Sequence, residues 1–209
     1  MVSAKVAGDI KGQIDKGVAI LKRGGLVAFP TDTVYGLGAC YSNNAAVERI
    51  FRVKKRPQNM ALPLLLADVD QIAEVVEHVS PAAWFIIHRF LPGALTLVLL
   101  KSEAVPDIVT GGGRTVAVRI PAHPVPVALI KGIGAPVIGT SANVSGRPSS
   151  VTADEVHSQF GNKIDLIIDG GRCPGGREST IVDVTGEVPR VLREGAISRQ
   201  ELAQVCEIK

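Results

Sequence analysis

The chain has 209 residues, of which 46% are apolar and 21% are charged, so it can bury a sizeable core and is not intrinsically disordered. Lysine and arginine number 23 against 20 acidic residues, an excess too small to indicate nucleic-acid binding by itself. Three widely spaced cysteines match neither a disulfide framework nor a metal knuckle, which favours a reducing cytoplasm. The N-terminus lacks an apolar signal region and no apolar run reaches about 18 residues, which argues against secretion and membrane spanning.

Short apolar runs alternate with helix signals along the chain. Apolar residues at helical spacing begin at Ile10 and stop before Gly24, which predicts a first helix. A second helix is predicted from Asn43–Asn44 to about Lys54. Buried strands are predicted at 26–29, 62–66, 94–100, 115–120, 136–139, 164–169 and 179–184. Further helices are predicted at about 69–79, after Ser80–Pro81, after Thr152 with Glu155, and after Ser198 with Glu201.

Two glycine-rich segments interrupt this alternation. Residues 105–114 and 170–178 are predicted to be flexible loops that could close over a ligand. A turn at Thr185–Gly186 joins the last two strands, and no repeat or long polar linker is present. The sequence therefore predicts an α/β fold, with one open, twisted mixed sheet and flanking helices in a single domain over residues 1–209.

Polar and basic clusters interrupt the apolar runs at four places. They are PTDTVYGLG at 30–38, KKRP at 54–57, GTSANVSG at 139–146 and STIVD at 179–183. Open α/β sheets bind ligands at strand ends, so these hydroxyls, amides and cations are expected to share one site. That composition suits an anionic ligand.

These clusters, together with TVAVRIPAHP at 115–124 and LREGAIS at 192–198, resemble in order the YrdC/TsaC family of threonylcarbamoyl-AMP synthases. The resemblance covers a core of about 12–200. It implies an open α/β fold around a large basic cavity, in the short single-domain form of the family. It also implies that ATP, L-threonine and bicarbonate are joined into threonylcarbamoyl-adenylate, with release of pyrophosphate. Other proteins would then transfer the threonylcarbamoyl group to the adenosine beside the anticodon of tRNA.

The resemblance also implies roles for individual residues. Lys54 and Arg56 are the predicted catalytic residues. The predicted L-threonine contacts are Thr33, Arg119 and Ser179. The predicted ATP contacts are Lys54, Arg56, Thr115, Ser141, Asn143, Ser149 and Arg193. Magnesium is expected to arrive on the ATP phosphates and not in a protein cage.

The same residues suit this chemistry without the family name. A threonine carbamate must attack the α-phosphorus of ATP, so the protein has to hold two anions together and neutralise developing charge. Lys54 suits the role of a mobile point charge, and Arg56 that of a planar fork on phosphate oxygens. Arg193 is expected to close the site from the far end of the sequence. No covalent nucleophile is required.

Each element has an alternative interpretation. The cations at 54–56 could only complement a helix dipole, 141–146 could be an ordinary turn, and His123 could be structural or near the site. The sequence departs from the family pattern in three places: Met60 supplies no side-chain cation or amide, and Leu65 stands where some longer members carry a histidine that contacts threonine. The third is Ser150–Val151, which replaces a Pro-Thr pair that commonly follows Ser149. Two other functions remain open, a non-catalytic module for double-stranded RNA or tRNA and a carbamoyl-transfer module like that of hydrogenase-maturation proteins.

Overall fold

The computed structural model describes residues 9–209, in which eight α-helices and ten strands alternate, and this confirms the predicted α/β class. The helices are α1 (Ile10–Lys22), α2 (Asn44–Lys54), α3 (Ile72–Val75), α4 (Pro81–Phe90), α5 (Asp107–Thr110), α6 (Pro124–Ile133), α7 (Ala153–Phe160) and α8 (Arg199–Ala203). The strands are β1 (Val27–Phe29), β2 (Gly36–Gly38), β3 (Leu64–Leu65), β4 (Leu95–Leu100), β5 (Thr115–Arg119), β6 (Val137–Ile138), β7 (Thr140–Ser141), β8 (Leu166–Ile167), β9 (Thr180–Asp183) and β10 (Arg190–Arg193).

The strands form two mixed sheets where the sequence predicted one. The smaller sheet has the order β7-β2-β1-β8, and the larger has the order β10-β9-β4-β5-β3-β6. In the larger sheet, β4 is antiparallel to β5 and parallel to β9. The predicted neighbouring strands at 94–100 and 115–120 are therefore confirmed, and together with β9 they form the middle of this sheet.

The chain crosses from the larger sheet to the smaller one at Gly139, the single residue between β6 and β7. Its backbone N–H donates to the carbonyl of Pro63 at 2.9 Å. A Cβ atom at this position would lie 2.2 Å from Cγ of Leu65, so only glycine fits without displacing that side chain. The crossing therefore brings the polar residues of β7 against the face of the larger sheet.

Capping side chains begin the helices where the sequence predicted them. Asn43, Ser80, Thr152 and Ser198 each accept a backbone N–H bond in the first turn of α2, α4, α7 and α8, respectively. The full reciprocal capping box is present at Ser198 and Glu201. At α7 only half of it forms, because the Glu155 carboxylate accepts from the N–H of Val151 instead.

Three segments differ from the prediction. The helix expected at 69–79 is the single turn α3, because Val76 leaves it in extended conformation and pairs with Lys101. The glycine-rich loop at 105–114 contains the short helix α5. Helix α6 was not predicted, although His123 caps it, Pro124 opens it and Gly134 ends it with φ of +77°.

Within residues 9–209, no helix is both long and apolar enough to cross a membrane. The single-domain assignment for 1–209 stays a prediction, and its first eight residues lie outside the described part of the chain. The prediction that the N-terminus carries no signal region falls partly on those same residues.

Candidate active site

A cleft of about 300 Å³ lies where the two sheets meet. On the larger sheet the lining residues of β4 and of β5 are spaced two apart, as expected when one face of a sheet forms the wall. From that sheet and its flanks come Leu65, Thr96, Val98, Ala117, Arg119, Ser179, Ile181, Leu192 and Arg193. From the smaller sheet and its neighbouring loops come Thr31, Thr33, Val34, Tyr35, Gly36, Gly139, Thr140 and Ser141.

Arg119 organises the buried end of this cleft. It is 7% exposed, and each of its three guanidinium nitrogens makes a contact. Nε donates to the carbonyl of Gly93 at 3.0 Å, Nη1 donates to Oγ1 of Thr33 at 2.9 Å, and Nη2 lies 2.7 Å from Oδ1 of Asp32. Burial lowers the pKa of Arg119, and the charge and hydrogen bond of Asp32 oppose that shift. The guanidinium is therefore held in one orientation.

Buried hydroxyls continue this arrangement. Oγ1 of Thr31 donates to the carbonyl of Val34 at 2.7 Å and lies 3.0 Å from Oγ1 of Thr33, so the Thr33 proton points toward Thr31. Across the cleft, Oγ1 of Thr96 and Oγ of Ser179 share one hydrogen bond of 2.8 Å. Two hydroxyls that share one bond leave a second proton able to donate to a ligand. We call Thr33, Thr96, Arg119 and Ser179 the inner end of the cleft.

The opposite end of the cleft is more exposed and carries more charge. Arg56 donates to the carbonyls of Met60 and Ala61, at 3.3 and 2.8 Å, and burial lowers its pKa. Arg193 pairs with Glu178, whose other carboxylate oxygen accepts from Ser149 at 2.6 Å. We call Arg56, Ser149, Glu178 and Arg193 the rim. The lining as a whole contains three arginines and one glutamate, an excess of two positive charges.

Lys54 lies beneath the cleft wall. It is 1% exposed, and its ammonium donates to the carbonyl of Ser141 and to that of Asn143, the latter at 2.7 Å. Burial, followed by the neighbouring charge of Arg56, lowers the pKa of Lys54 to about 7, while Glu178 opposes the shift. The expectation of a mobile point charge is therefore corrected: Lys54 is fixed at the end of α2 and holds the 141–143 segment.

Ten residues were predicted to contact ATP or threonine, and the structure brings six of them to the cleft lining. These six are Thr33, Arg56, Arg119, Ser141, Ser179 and Arg193. The four others are outside the lining, namely Lys54, Thr115, Asn143 and Ser149. Asn143 is buried and donates to the carbonyls of Val144 and Arg147, so its amide closes a turn. Thr115 begins β5 opposite Leu100, at the end away from Arg119.

Among the lining residues that were not singled out from the sequence, Tyr35, Thr96 and Glu178 carry polar side chains with contacts that shape the cleft. Glu178 was placed in a glycine-rich connector, Thr96 in an apolar strand, and Tyr35 was quoted only within its motif. The Tyr35 hydroxyl donates to the carbonyl of Gly171 at 2.8 Å, and burial raises its pKa. For Thr96 and Glu178 the available sequence signal was a polar side chain near the start of a strand, since Thr96 is the second residue of β4 and Glu178 comes two residues before β9.

The 170–178 connector is tied to the motif at 30–38 by several hydrogen bonds. Besides the Tyr35 contact, the N–H of Gly176 donates to the carbonyl of Thr33 at 2.9 Å, and the N–H of Thr31 donates to Sγ of Cys173. A Cβ at Gly175 would lie 2.6 Å from the carbonyl of Asp32, so the backbones pack closely. The connector thus packs against the 30–38 motif, which lines the cleft, and its action as a lid stays a prediction.

The described residues hold no group of three or more His, Cys, Asp or Glu side chains placed to bind a metal ion. Leu65, which stands where some longer family members were expected to carry a histidine, lines the cleft as an apolar residue. Met60 is exposed and takes part only through its carbonyl, the acceptor of the Arg56 bond.

Comparison with known proteins places these features in a family context. The Sua5_yciO_yrdC family model, described as telomere recombination, matches residues 19–195. The threonylcarbamoyl-AMP synthase of Pyrococcus abyssi is 45% identical over 185 residues, which cover 88% of this chain and 54% of that protein. The threonylcarbamoyl-AMP synthase of Bacillus subtilis is 40% identical over 194 residues, covering 92% and 56%.

A solved structure supports the same relationship. The crystal structure of P. abyssi Sua5 complexed with L-threonine has a TM-score of 0.90 at 43% identity, and the match covers 94% of this chain and 58% of that one. The chain thus spans a little over half the length of the curated relatives described above.

Proposed function

This chain belongs to the Sua5_yciO_yrdC family, and we propose that it is a threonylcarbamoyl-AMP synthase. It would join L-threonine, bicarbonate and ATP into threonylcarbamoyl-adenylate and release pyrophosphate. The observation that carries this proposal is the division of one cleft into two ends. The inner end presents a buried arginine among hydroxyls, and the rim presents two arginines to solvent.

The inner end suits threonine. A guanidinium has five N–H groups, and three of them are used by the contacts of Arg119, so two remain for a carboxylate in the cleft. The spare proton of the Thr96 and Ser179 pair suits the threonine hydroxyl. Threonine held by both groups would have its amine fixed, and that amine is the atom that becomes carbamoylated.

The rim suits the phosphates of ATP. In the proposed reaction a carbamate oxygen forms a bond to the α-phosphorus, and the bond from that phosphorus to the bridging oxygen of pyrophosphate breaks. Arg56 and Arg193 lie at the cleft opening, where they would neutralise the charge that develops on the phosphate oxygens. We expect Mg²⁺ to enter bound to ATP, because this ion prefers phosphate oxygens and water to a protein cage.

The wider role is a proposal on the same basis. The adenylate product would be passed to proteins that transfer the threonylcarbamoyl group to tRNA, and direct contact of the chain with tRNA or double-stranded RNA belongs to the same proposal. We place this activity in the cytoplasm, since Cys40, Cys173 and Cys206 are all unpaired and suit a reducing compartment.

The decisive experiment measures pyrophosphate release from ATP by the purified chain. Release should require both threonine and bicarbonate, and omission of either should abolish it. Arg56→Gln should lower the rate by about 10²-fold or more, because a charge stabiliser of the transition state is lost. Arg52→Gln is the matched control, since Arg52 is an exposed residue in the last turn of α2, the helix that ends just before Arg56.

Two results would reject the proposal. Pyrophosphate release that does not depend on threonine would exclude this amino-acid site. Salt-sensitive binding of double-stranded RNA without any consumption of ATP would favour the non-catalytic RNA-binding module instead.

A further inference from the structure

Glu178 is the one carboxylate among the described residues that line the cleft. Its backbone is fixed, because its carbonyl accepts from the N–H of Ala196 at 2.9 Å. Gly195 packs directly on the same carbonyl, and a Cβ there would lie 2.2 Å from its oxygen. The backbone therefore cannot shift easily, whereas the side chain is 35% exposed and can rotate toward solvent.

The Glu178 carboxylate bonds two groups that the sequence assigned to ATP. One oxygen accepts from Oγ of Ser149 at 2.6 Å, and the other accepts from Nη1 of Arg193. Its field also reaches Lys54, whose pKa it raises against the effect of burial. A negative charge thus already occupies the position in which a phosphate group would meet the rim cations.

The contacts of Arg193 indicate what this carboxylate contributes. Nη2 of Arg193 donates to the backbone carbonyl of Ser179 at 2.9 Å, so the guanidinium keeps an anchor when Glu178 is absent. Ser149 needs only an oxygen acceptor, which an amide provides as well as a carboxylate does. The charge of Glu178, more than its shape, is therefore the property that the rim depends on.

We propose that Glu178 is a displaceable anion that holds Arg193 and Ser149 in the nucleotide-free protein and exchanges with a phosphate group when nucleotide binds. An ion pair as exposed as this one contributes little to stability, so it separates readily. A phosphate offers more charge and more acceptor oxygens than one carboxylate, so it displaces the Glu178 carboxylate from Arg193 and Ser149. On departure of pyrophosphate the carboxylate returns. The exchange rests on the proposed nucleotide site.

Isothermal titration with inorganic pyrophosphate tests the exchange without requiring turnover. Glu178→Gln keeps the size and one acceptor oxygen but removes the competing charge, so pyrophosphate should bind about fivefold more tightly than to wild type. Glu103→Gln makes the same change in net charge at an exposed turn residue and should leave the affinity unchanged. Glu178→Ala, which also loses the acceptor, should still bind more tightly than wild type.

The two possible roles of Glu178 predict opposite changes in pyrophosphate affinity when its charge is removed. If Glu178 only positions Arg193 and Ser149, both Glu178 variants bind pyrophosphate more weakly or equally, and the exchange is overturned. Equal tightening in Glu103→Gln would overturn it too, because the effect would then come from net charge. Thermal unfolding of each variant confirms that it is folded. If turnover does not depend on threonine, the proposed function is rejected, but the comparison of pyrophosphate affinities still stands. If the wild-type protein binds no pyrophosphate, the exchange itself is overturned.

Discussion

The inner end and the rim are built from the same kinds of side chain but are held in different ways. At the inner end, the side chains of Arg119 and its partner Asp32 are 8% and 15% exposed, and hydroxyls from three segments are bonded to the arginine or to one another. At the rim, Arg193 and Glu178 are 42% and 35% exposed, and Arg56 is anchored to backbone carbonyls at the surface.

This difference separates two demands of the proposed reaction. A small amino acid that differs from its competitors by one hydroxyl is recognised best by polar groups that are fixed and desolvated. A polyphosphate that enters and leaves as different species is better met by cations whose partners can be exchanged. The inner end therefore supplies selectivity, and the rim supplies charge.

The largest expected contrast is between two arginine substitutions. Arg119→Met leaves the carboxylate of Asp32 buried without its partner, which should lower the free energy of unfolding by about 3–5 kcal/mol. Arg193→Met breaks an exposed pair and should lower it by less than about 1 kcal/mol. Denaturant unfolding of both variants beside wild type measures the difference. Equal losses would show that the inner end is no more tightly built than the rim.

Local signals predicted most of the regular structure. Buried apolar runs located strand segments, and capping residues such as Asn43, Ser80 and Ser198 located helix starts, because both depend on neighbouring residues alone. The separation into two sheets was not accessible in this way. Strands such as β1 and β3 are buried on both faces, so no alternation shows which sheet they join.

The parts that were missed depend on contacts between distant segments. Helix α6 has an almost continuous apolar sequence, since it packs against α1, and its prolines at 124 and 126 obscured the helical pattern. Lys54 stands in a run of cations that is typical of a solvent-exposed segment, and only the tertiary structure shows that two backbone carbonyls accept hydrogen bonds from it. Glu178 could not be singled out because its role depends on its bonds to Ser149 and Arg193, which are 29 and 15 residues away in the sequence.

Substitutions of Lys54 and Arg56, which stand two positions apart in the motif, should separate stability from catalysis. Lys54→Met leaves the carbonyls of Ser141 and Asn143 without their donor, so the free energy of unfolding should fall by about 2–4 kcal/mol. Arg56→Gln should change it by less than about 1 kcal/mol, while adenylate formation falls by about 10²-fold or more. Unfolding and pyrophosphate release are measured on the same preparations. A stable but inactive Lys54→Met would restore the direct phosphate contact predicted from the sequence.

A smaller effect is expected on substrate choice at the inner end. Ser179→Ala removes one hydroxyl of the pair with Thr96, so kcat/KM for threonine should fall by about 10- to 100-fold. Valine has the shape of threonine without the hydroxyl, and its low rate should change by less than about twofold. Ser158→Ala, at an exposed helical position, is the control. An equal loss for both amino acids would mean that Ser179 acts on the reaction and not on recognition.

The smallest expected effect is the response of the two ends to salt. Mobile ions screen exposed charges far more than buried ones, so the KM for ATP should rise about fivefold from about 0.05 to about 0.5 M KCl. The KM for threonine should change by less than about twofold, because the pair of Arg119 and Asp32 is shielded from solvent. Arg193→Met has one rim cation fewer and should flatten the response of the ATP KM. Parallel salt curves for the two substrates would place both in the same electrostatic environment and remove the distinction between the inner end and the rim.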